Sequence, residues 1–400
     1  MPGDLQKDGQ TGQGSGKDPN MNNNKKSSWG LAFSIGATAF AAHAGGGFAT
    51  GNQANTFFVS QGWTAFFSCI LAMALLAFSV REGQIMWNNH HLKHYKELFA
   101  TLFHPYDKLA YLYDVFYDIM VLMVVASCVA GASSALKQYI GLNYYIGTVI
   151  IGVVILLLSI YGAELVRKAS TYMGTVILVM SITIYLIGIC TGHNLGSTIS
   201  ESYASVGMST LPLAIKQGFV YAGFQWVTIP AVLACGSILP NKSACTKSML
   251  FTLLFNCLGL GLSVLMLQSW SSYYTSVQGG TTIPTLTVLM NLNMGFLVFL
   301  YVIVLFLCMI SSGVAVVFAF VNRFEHASYL QGIKNTQVRR SSIAVFIMVL
   351  SMGISFAGLT NVVKYGYGYC GYLGIAVCVI PLLTVGYYKN RKFLKEHPED

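Results

Sequence analysis

Apolar stretches long enough to cross a membrane recur along the whole chain, separated by short polar segments. A transmembrane helix needs about 20 consecutive, mainly apolar residues. The expected fold class is therefore an all-α integral membrane protein. Residues 1–28 are expected to form a disordered cytoplasmic tail and residues 389–400 a C-terminal cytoplasmic tail. The pattern predicts ten spans, at residues 29–59, 62–82, 109–136, 143–161, 169–190, 211–239, 247–269, 284–321, 341–357 and 365–388.

Composition agrees with this pattern. Hydrophobic residues make up 54% of the 400 residues and charged residues only 9%, whereas soluble domains carry about a quarter charged residues. Most of the nine cysteines fall inside the apolar stretches and none forms a CxxC pair. They are expected to be small core residues rather than disulfides or metal ligands.

The basic residues are distributed asymmetrically between the two sides of the predicted membrane. With the N-terminus inside, all Lys and Arg but Lys137, Lys216 and Lys364 fall on cytoplasmic segments. Such an excess is typical of cytoplasmic loops, so both termini are expected in the cytoplasm of a cell-membrane protein. The basic residues behind the net charge of +9 are therefore expected to orient the chain in the membrane. They are not expected to bind a nucleic-acid partner.

Short sequence matches recur between the two halves of the chain. The segments AGGGF (44–48) and VYAGF (220–224) lie in spans one and six, and ASSA (132–135) and ISSG (310–313) in spans three and eight. GAELVRK (162–168) and GLTNVVK (358–364) precede spans five and ten. Since five spans is an odd number, two consecutive copies must have opposite orientations in the membrane. The sequence therefore predicts an inverted repeat, with residues 29–190 and 209–388 as its halves.

The glycine run in the first span predicts a helix break near the middle of the membrane. Gly45, Gly46 and Gly47 lower helix propensity and permit positive φ. A break would expose the positive end of an outer half-helix near Phe48, which suits a carboxylate, and free carbonyls, which suit a cation. The alternative is close helix packing on small residues. With His43 before the run and Thr50 after it, these residues form one side of a predicted substrate site.

The sixth span is expected to form the other side of that site. Gly218, Gly223 and Pro230 lie within one predicted membrane helix. Around the middle glycine stand the predicted substrate-binding residues Tyr221, Phe224, Gln225 and Trp226. Ordinary core packing remains an alternative for the aromatic residues, whereas a buried glutamine amide needs hydrogen-bond partners.

The segment GGGFATGNQANTFF (45–58) is similar to the GAGFATGQE segment of the YkvI-like membrane proteins. These bacterial predicted permeases belong to the amino acid–polyamine–cation superfamily with the LeuT-type fold. The resemblance covers about residues 30–388, and GFATG is its specific part. It implies ten helices as a five-plus-five inverted repeat, broken first and sixth helices and an amino-acid-like substrate. Asn52-Gln53 stands where the family usually has Gln-Glu.

The resemblance also implies a sodium site, because sodium-coupled members hold one ion between the first and eighth helices. Carried over, its ligands are the carbonyls of Ala41 and Ala44, the hydroxyls of Ser311 and Ser312, and the nearby Cys308 carbonyl. Oxygen ligands are what a hard cation requires. The alternative is that both serines hydrogen-bond to their own helix.

Two acidic residues lie within the third predicted span. Asp114 and Asp118 are four residues apart and therefore share one helix face. One interpretation is a cytoplasmic gate in which they pair with Lys108, Arg167 or Lys168. The other is that Asp118, or His43 in the first span, carries a coupling proton.

The resulting interpretation is a secondary active transporter of a small zwitterionic solute, with an amino acid as the favoured substrate and sodium as the favoured coupling ion. No other cofactor is expected, and one chain should suffice for transport, with the oligomeric state left open. The alternatives are a proton-coupled or uncoupled permease or exporter for another amine or a nucleobase, and a membrane sensor that does not transport. A channel would need rings of like groups. An enzyme is not expected, because no nucleotide loop, nucleophile elbow or HExxH motif is present.

Overall fold

The computed structural model describes residues 20–43 and 45–397, with side chains for residues 29–43, 45, 47–162, 176 and 178–397. This part of the chain is almost entirely helical and contains no β-strand. The helices of the first half are α1 (Asn20–His43), α2 (Gly46–Ala49), α3 (Asn52–Phe57), α4 (Ala65–Asn89), α5 (Tyr95–Phe103), α6 (Tyr111–Ile140), α7 (Tyr144–Tyr161) and α8 (Ala163–Thr191).

The second half of the chain also contains both long and short helices. The helices of this half are α9 (Leu195–Val206), α10 (Leu211–Gln225), α11 (Ile229–Cys235), α12 (Lys242–Ser269), α13 (Ser271–Ser276), α14 (Pro284–Asn291), α15 (Gly295–Phe324), α16 (Thr336–Ser355), α17 (Leu359–Asn361), α18 (Gly368–Gly374) and α19 (Tyr387–Glu396). Three π-helical segments join α17, α18 and α19 into one helical stretch, Leu359–Glu396.

Among the described residues, seven helical stretches are long and apolar enough to cross a membrane. An eighth is formed if the bent pair Leu178–Thr191 and Leu195–Gln225, with 76° between its parts, counts as one span. The chain is therefore a multi-pass membrane protein. The expected first and sixth spans are not in the set of seven, because each is divided into shorter helices.

Several boundaries differ from the sequence prediction. The expected eighth span, 284–321, is wrong as one helix: α14 ends at Asn291, and Asn293 has a φ of 54° before α15 begins. The expected tail 1–28 is described only from residue 20, where α1 begins, so its last nine residues are helical. The second span continues past residue 82 to Asn89, because the buried Glu82 carboxylate pairs with Arg81 and accepts from Asn390 Nδ2 at 2.9 Å.

Eight of the helices pack as two groups of four, and α8 contacts α12 of the first group and α15 of the second. In the first group α1 packs along α12, and α10 packs along α4. In the second group α6 packs against α7, α15 and α16, and α15 also contacts α7 and α16. Helices α1 and α4 correspond to the expected first and second spans, and α10 and α12 to the sixth and seventh. The contact between spans one and seven (α1–α12) is therefore matched by a contact between spans six and two (α10–α4). This exchange of contacts is what the expected inverted repeat predicts.

Candidate functional site

The two interrupted spans border the same cavity. α1 ends at His43, Gly45 forms a bend, and α2 begins at Gly46. α10 ends at Gln225, and α11 begins at Ile229 with a proline in its first turn. The cavity between them has a volume of about 380 Å³, within the usual range of about 300–1,000 Å³ for small-molecule sites.

One face each of α6 and α15 completes the cavity wall. From α6 come Tyr117, Met120, Val121, Val124, Ser127 and Cys128, and from α15 come Cys308, Ser311, Ser312, Ala315, Val316 and Ala319. Both sets recur at intervals of three and four residues, which is the spacing of one helix face. The α6 set was not predicted as a substrate site, although this same spacing is the signal that could have found it.

The described residues of the cavity wall include no side chain with a formal charge. None of its described lining residues is Asp, Glu, Lys or Arg, and its polar groups are amides, hydroxyls, thiols and the imidazole of His43. Burying an ion without a counter-charge is costly. The cavity is therefore suited to a solute without net charge.

The structure brings most of the expected site residues together. Of the expected substrate-binding residues, His43, Gly45, Gly47, Phe48, Phe224 and Gln225 line the cavity. Of the expected sodium ligands, Ala41, Cys308, Ser311 and Ser312 line it as well. Gly46 begins α2, and Ala44 lies outside the described residues.

Three expected substrate-binding residues lie outside the cavity wall and make contacts within the protein. Trp226 is buried, and its Nε1 donates to Ser79 Oγ at 3.0 Å. The Thr50 hydroxyl donates to the Gly47 carbonyl at 2.9 Å and holds the turn after α2. The Tyr221 hydroxyl donates to Gln53 Oε1 at 3.1 Å.

Gln53, which was not among the predicted site residues, fills the space beside Gly47. A Cβ at Gly47 would lie 2.3 Å from Gln53 Nε2. Gln53 lines the cavity, and its amide oxygen is occupied by the Tyr221 hydroxyl. A side chain at residue 47 would therefore have to displace the Gln53 amide from its present position.

Gly223 does not form the break in the sixth span. It lies inside α10, where a Cβ would be 2.2 Å from the carbonyl oxygen of Gly371. A Cβ at Gly374 would likewise be 2.2 Å from the Gly223 carbonyl oxygen. This is the close packing on small residues that was the alternative for such glycines. In the first span, the positive φ that the structure records is at Gly51 (76°).

The serines of α15 lie against the first break. A Cβ at Gly45 would be 3.7 Å from Ser312 Oγ. The Ser311 hydroxyl donates to the Cys308 carbonyl of its own helix at 3.1 Å, as the alternative interpretation required. That bond uses the proton of Ser311 and leaves the oxygen lone pairs as acceptors.

Asn256 on α12 fixes the tautomer of His43. Asn256 Nδ2 donates to the Thr252 carbonyl at 2.8 Å, so its Oδ1 is the atom that faces His43 Nδ1 at 3.0 Å. His43 Nδ1 must therefore carry the proton of that bond. Nε2 is buried and has no hydrogen-bond partner among the described residues.

Beyond α2, Asn52 connects the first half of the chain to the second. Its Nδ2 donates to the Thr281 carbonyl (3.2 Å), the Thr282 carbonyl (3.0 Å) and Thr360 Oγ1 (2.9 Å). The Tyr301 hydroxyl donates to the Ala49 carbonyl at 2.6 Å. These bonds tie α2 and α3 to the second half of the chain.

At the other end an ionic cluster stands beside the cavity. Arg323 binds Asp114 Oδ1 at 2.7 Å and Asp118 Oδ1 at 3.4 Å, and its guanidinium lies 4.9 Å from the ring of Tyr117, a lining residue. Lys96 lies 3.6 Å from Asp114. The expected pairing with Lys108 is not what the structure shows, and the side chains of Arg167 and Lys168 lie outside the described residues.

Tyr95 on α5 completes this cluster by donating to Asp114 Oδ1 at 3.0 Å. Burial raises the pKa of the Tyr95 hydroxyl, so it remains a hydrogen-bond donor. From the sequence, Arg323 was expected only as one of the basic residues on the cytoplasmic side. Nothing in the sequence shows that the end of α15 meets the start of α6.

Comparison with solved structures identifies the architecture. A crystal structure of MhsT in complex with L-phenylalanine superposes with a TM-score of 0.60 at 13% identity, covering 91% of this chain and 97% of MhsT. A Na⁺-coupled sialic acid symporter superposes with a TM-score of 0.56 at 11% identity, covering 89% and 90%. The fold is of the LeuT type. At these identities the likeness shows the fold alone.

No protein-family model matches the sequence, and no curated protein matches it.

Proposed function

We propose that this chain is a secondary active transporter of a small solute without net charge, with an amino acid as the favoured substrate. The observation that carries the proposal is the uncharged cavity of about 380 Å³ at the two helix interruptions of a LeuT-type fold. A zwitterion fits it, because its two charges cancel and each can be met by a neutral dipole. On the GFATG segment we place the chain near the YkvI-like permeases.

The glycine break and Phe48 would face the carboxylate, and Phe224 and Gln225 would contact the rest of the solute. The ends of the bundle would close alternately, one through Asn52 and the other through the Arg323 cluster. Both termini would be cytoplasmic, so the Arg323 cluster would be the cytoplasmic closure. One chain contains all of these parts.

Sodium is the favoured coupling ion. Its proposed ligands are the carbonyls of Ala41, Ala44 and Cys308 and the hydroxyls of Ser311 and Ser312. Four of these five residues line the same cavity, and Ser311 keeps lone pairs free while bonded to its own helix. Proton coupling through His43 or Asp118 is the second candidate, supported by the unpaired Nε2 of His43.

The purified protein should first be tested for thermal stabilisation by a panel of amino acids, amines and nucleobases, with and without sodium. A ligand at 100 times its Kd adds about 2.7 kcal/mol to the stability of the native state. Stabilisation by one amino acid only with sodium present would support both the substrate class and the coupling ion. If no amino acid stabilises the protein under either condition, the proposed substrate class is wrong.

Reconstituted vesicles then separate a carrier from its alternatives. A carrier exchanges labelled external solute for unlabelled internal solute by counterflow. A channel passes solute without exchange, and a sensor binds it without uptake. Binding without counterflow or uptake would contradict transport.

A further inference from the structure

We propose that Gln53 is the side chain that selects for the carboxylate group of the solute. The inference rests on the proposed function and deepens it, because it assigns substrate selectivity to one residue. Gln53 is buried with 6% exposure and lies in the cavity wall next to Gly47.

Tyr221 determines which end of the Gln53 amide faces the cavity. The Tyr221 hydroxyl donates to Gln53 Oε1 at 3.1 Å. This bond occupies the amide oxygen, so the amide nitrogen is the end of the side chain that remains for the cavity.

The Gln53 amide nitrogen is left as a donor on the cavity wall. Gln53 Nε2 has no hydrogen-bond partner among the described residues and is not one of their fully buried unpaired atoms. It therefore retains accessible surface in the cavity, beside the Cα of Gly47. Two N–H groups at this place suit a carboxylate and offer nothing to an ammonium group, which is itself only a donor.

The rest of the cavity strengthens this selectivity. With no Asp or Glu among its described lining residues, the cavity offers no counter-charge to a simple amine. Replacing Gln53 by Glu keeps the size of the side chain and an oxygen that can accept from Tyr221. The substitution replaces the amide N–H donor by a carboxylate oxygen and adds a negative charge. The substitution should therefore reverse the preference without removing the bond that holds the side chain.

The test measures binding of amino acids paired with their decarboxylated amines, such as L-phenylalanine with 2-phenylethylamine and L-leucine with isopentylamine. Wild type is expected to bind the amino acids and not the amines. In Gln53→Glu, affinity for the amino acid should fall about tenfold or more, as for loss of a hydrogen bond to a charged group, and the amine should gain affinity. Gln138→Glu makes the same change of charge outside this cavity, where Gln138 Nε2 donates to Thr287, and should keep wild-type selectivity.

A second variant tests the orientation of the amide while retaining Gln53. Tyr221→Phe removes the hydroxyl that donates to Gln53 Oε1, so amino-acid affinity should fall several-fold. Unchanged selectivity in Gln53→Glu, or unchanged affinity in Tyr221→Phe, would overturn the role of Gln53 while transport by wild type still stands. If wild type binds no member of the pairs, the proposed function itself fails, and this inference with it.

Discussion

Arg323, near the end of α15, binds Asp114, in the first turn of α6, with 2.7 Å between Nη2 and Oδ1. The two side chains are only 15% and 17% exposed, so the pair is partly shielded from water. It joins the two helices that supply most of the cavity wall, on the side of the cavity away from Asn52. The closing role proposed for this end of the cavity rests on this link between the two helices.

Replacing Arg323 by Gln should open that end. The substitution leaves Asp114 and Asp118 close together without their shared cation, which should cost about 1.5–3 kcal/mol of stability. Cys128 and Cys308 lie in the cavity wall, so their labelling by a thiol reagent, resolved by mass spectrometry, reports on access. Both should be labelled faster in Arg323→Gln.

Arg340→Gln is the matched control for this experiment. It removes an ion pair with Glu325 that does not border the cavity. Its cavity cysteines should be labelled at the wild-type rate. Equal labelling in wild type and Arg323→Gln would contradict a closing role for the cluster.

Removing the hydroxyls at the first break should weaken sodium binding. Ser312→Ala and Ser311→Ala each delete one proposed oxygen ligand, so the sodium concentration for half-maximal stabilisation should rise about tenfold or more. Ser133→Ala is a suitable control, because Ser133 is buried and bonds the Val129 carbonyl of its own helix at 2.7 Å, as Ser311 does to Cys308. An unchanged sodium dependence in both cavity variants would remove this site from the proposal.

The sequence predicted the architecture better than the site. The lengths of the apolar stretches follow from local composition. The division of the first and sixth spans does so as well, because glycine and proline interrupt the helix in which they lie. The expected eighth span was wrong because α14 and α15 are both apolar, so the turn between them leaves no gap in hydropathy. Asn52 and Gln53 were noted only as departures from a family pattern. Their contacts are with Thr360 and Tyr221, which lie 308 and 168 residues away in sequence, and no local pattern reports such contacts.

Proton coupling would be visible in the pH dependence of transport. His43 Nδ1 is committed to Asn256, so any coupling proton on this ring must bind at Nε2, which has no acceptor nearby in the described residues. His43→Gln and Asp118→Asn each remove one candidate carrier. If one of them couples transport to protons, its substitution should flatten the dependence of uptake on external pH between about 5.5 and 8.

The alternative result is equally informative. A pH profile unchanged in both variants would exclude both residues as proton carriers. Asp107→Asn offers a comparison, because Asp107 is an exposed acid paired with His104 and should leave the profile as in wild type.

The glycines between α10 and α18 should be more important for stability than those on open helix faces. In Gly223→Ala the new methyl group would meet a backbone carbonyl at 2.2 Å, and backbone cannot move aside as a flexible side chain can. Overpacking of this kind costs about 1–3 kcal/mol. In Gly353→Ala, inside α16, nothing lies within 4 Å of the new Cβ, so the gain in helix propensity of about 1 kcal/mol should dominate. Thermal unfolding in detergent should thus show a lower Tm for Gly223→Ala and an equal or higher Tm for Gly353→Ala. The opposite order would contradict the close packing of α10 on α18, which sets the position of Phe224 and Gln225 in the cavity wall.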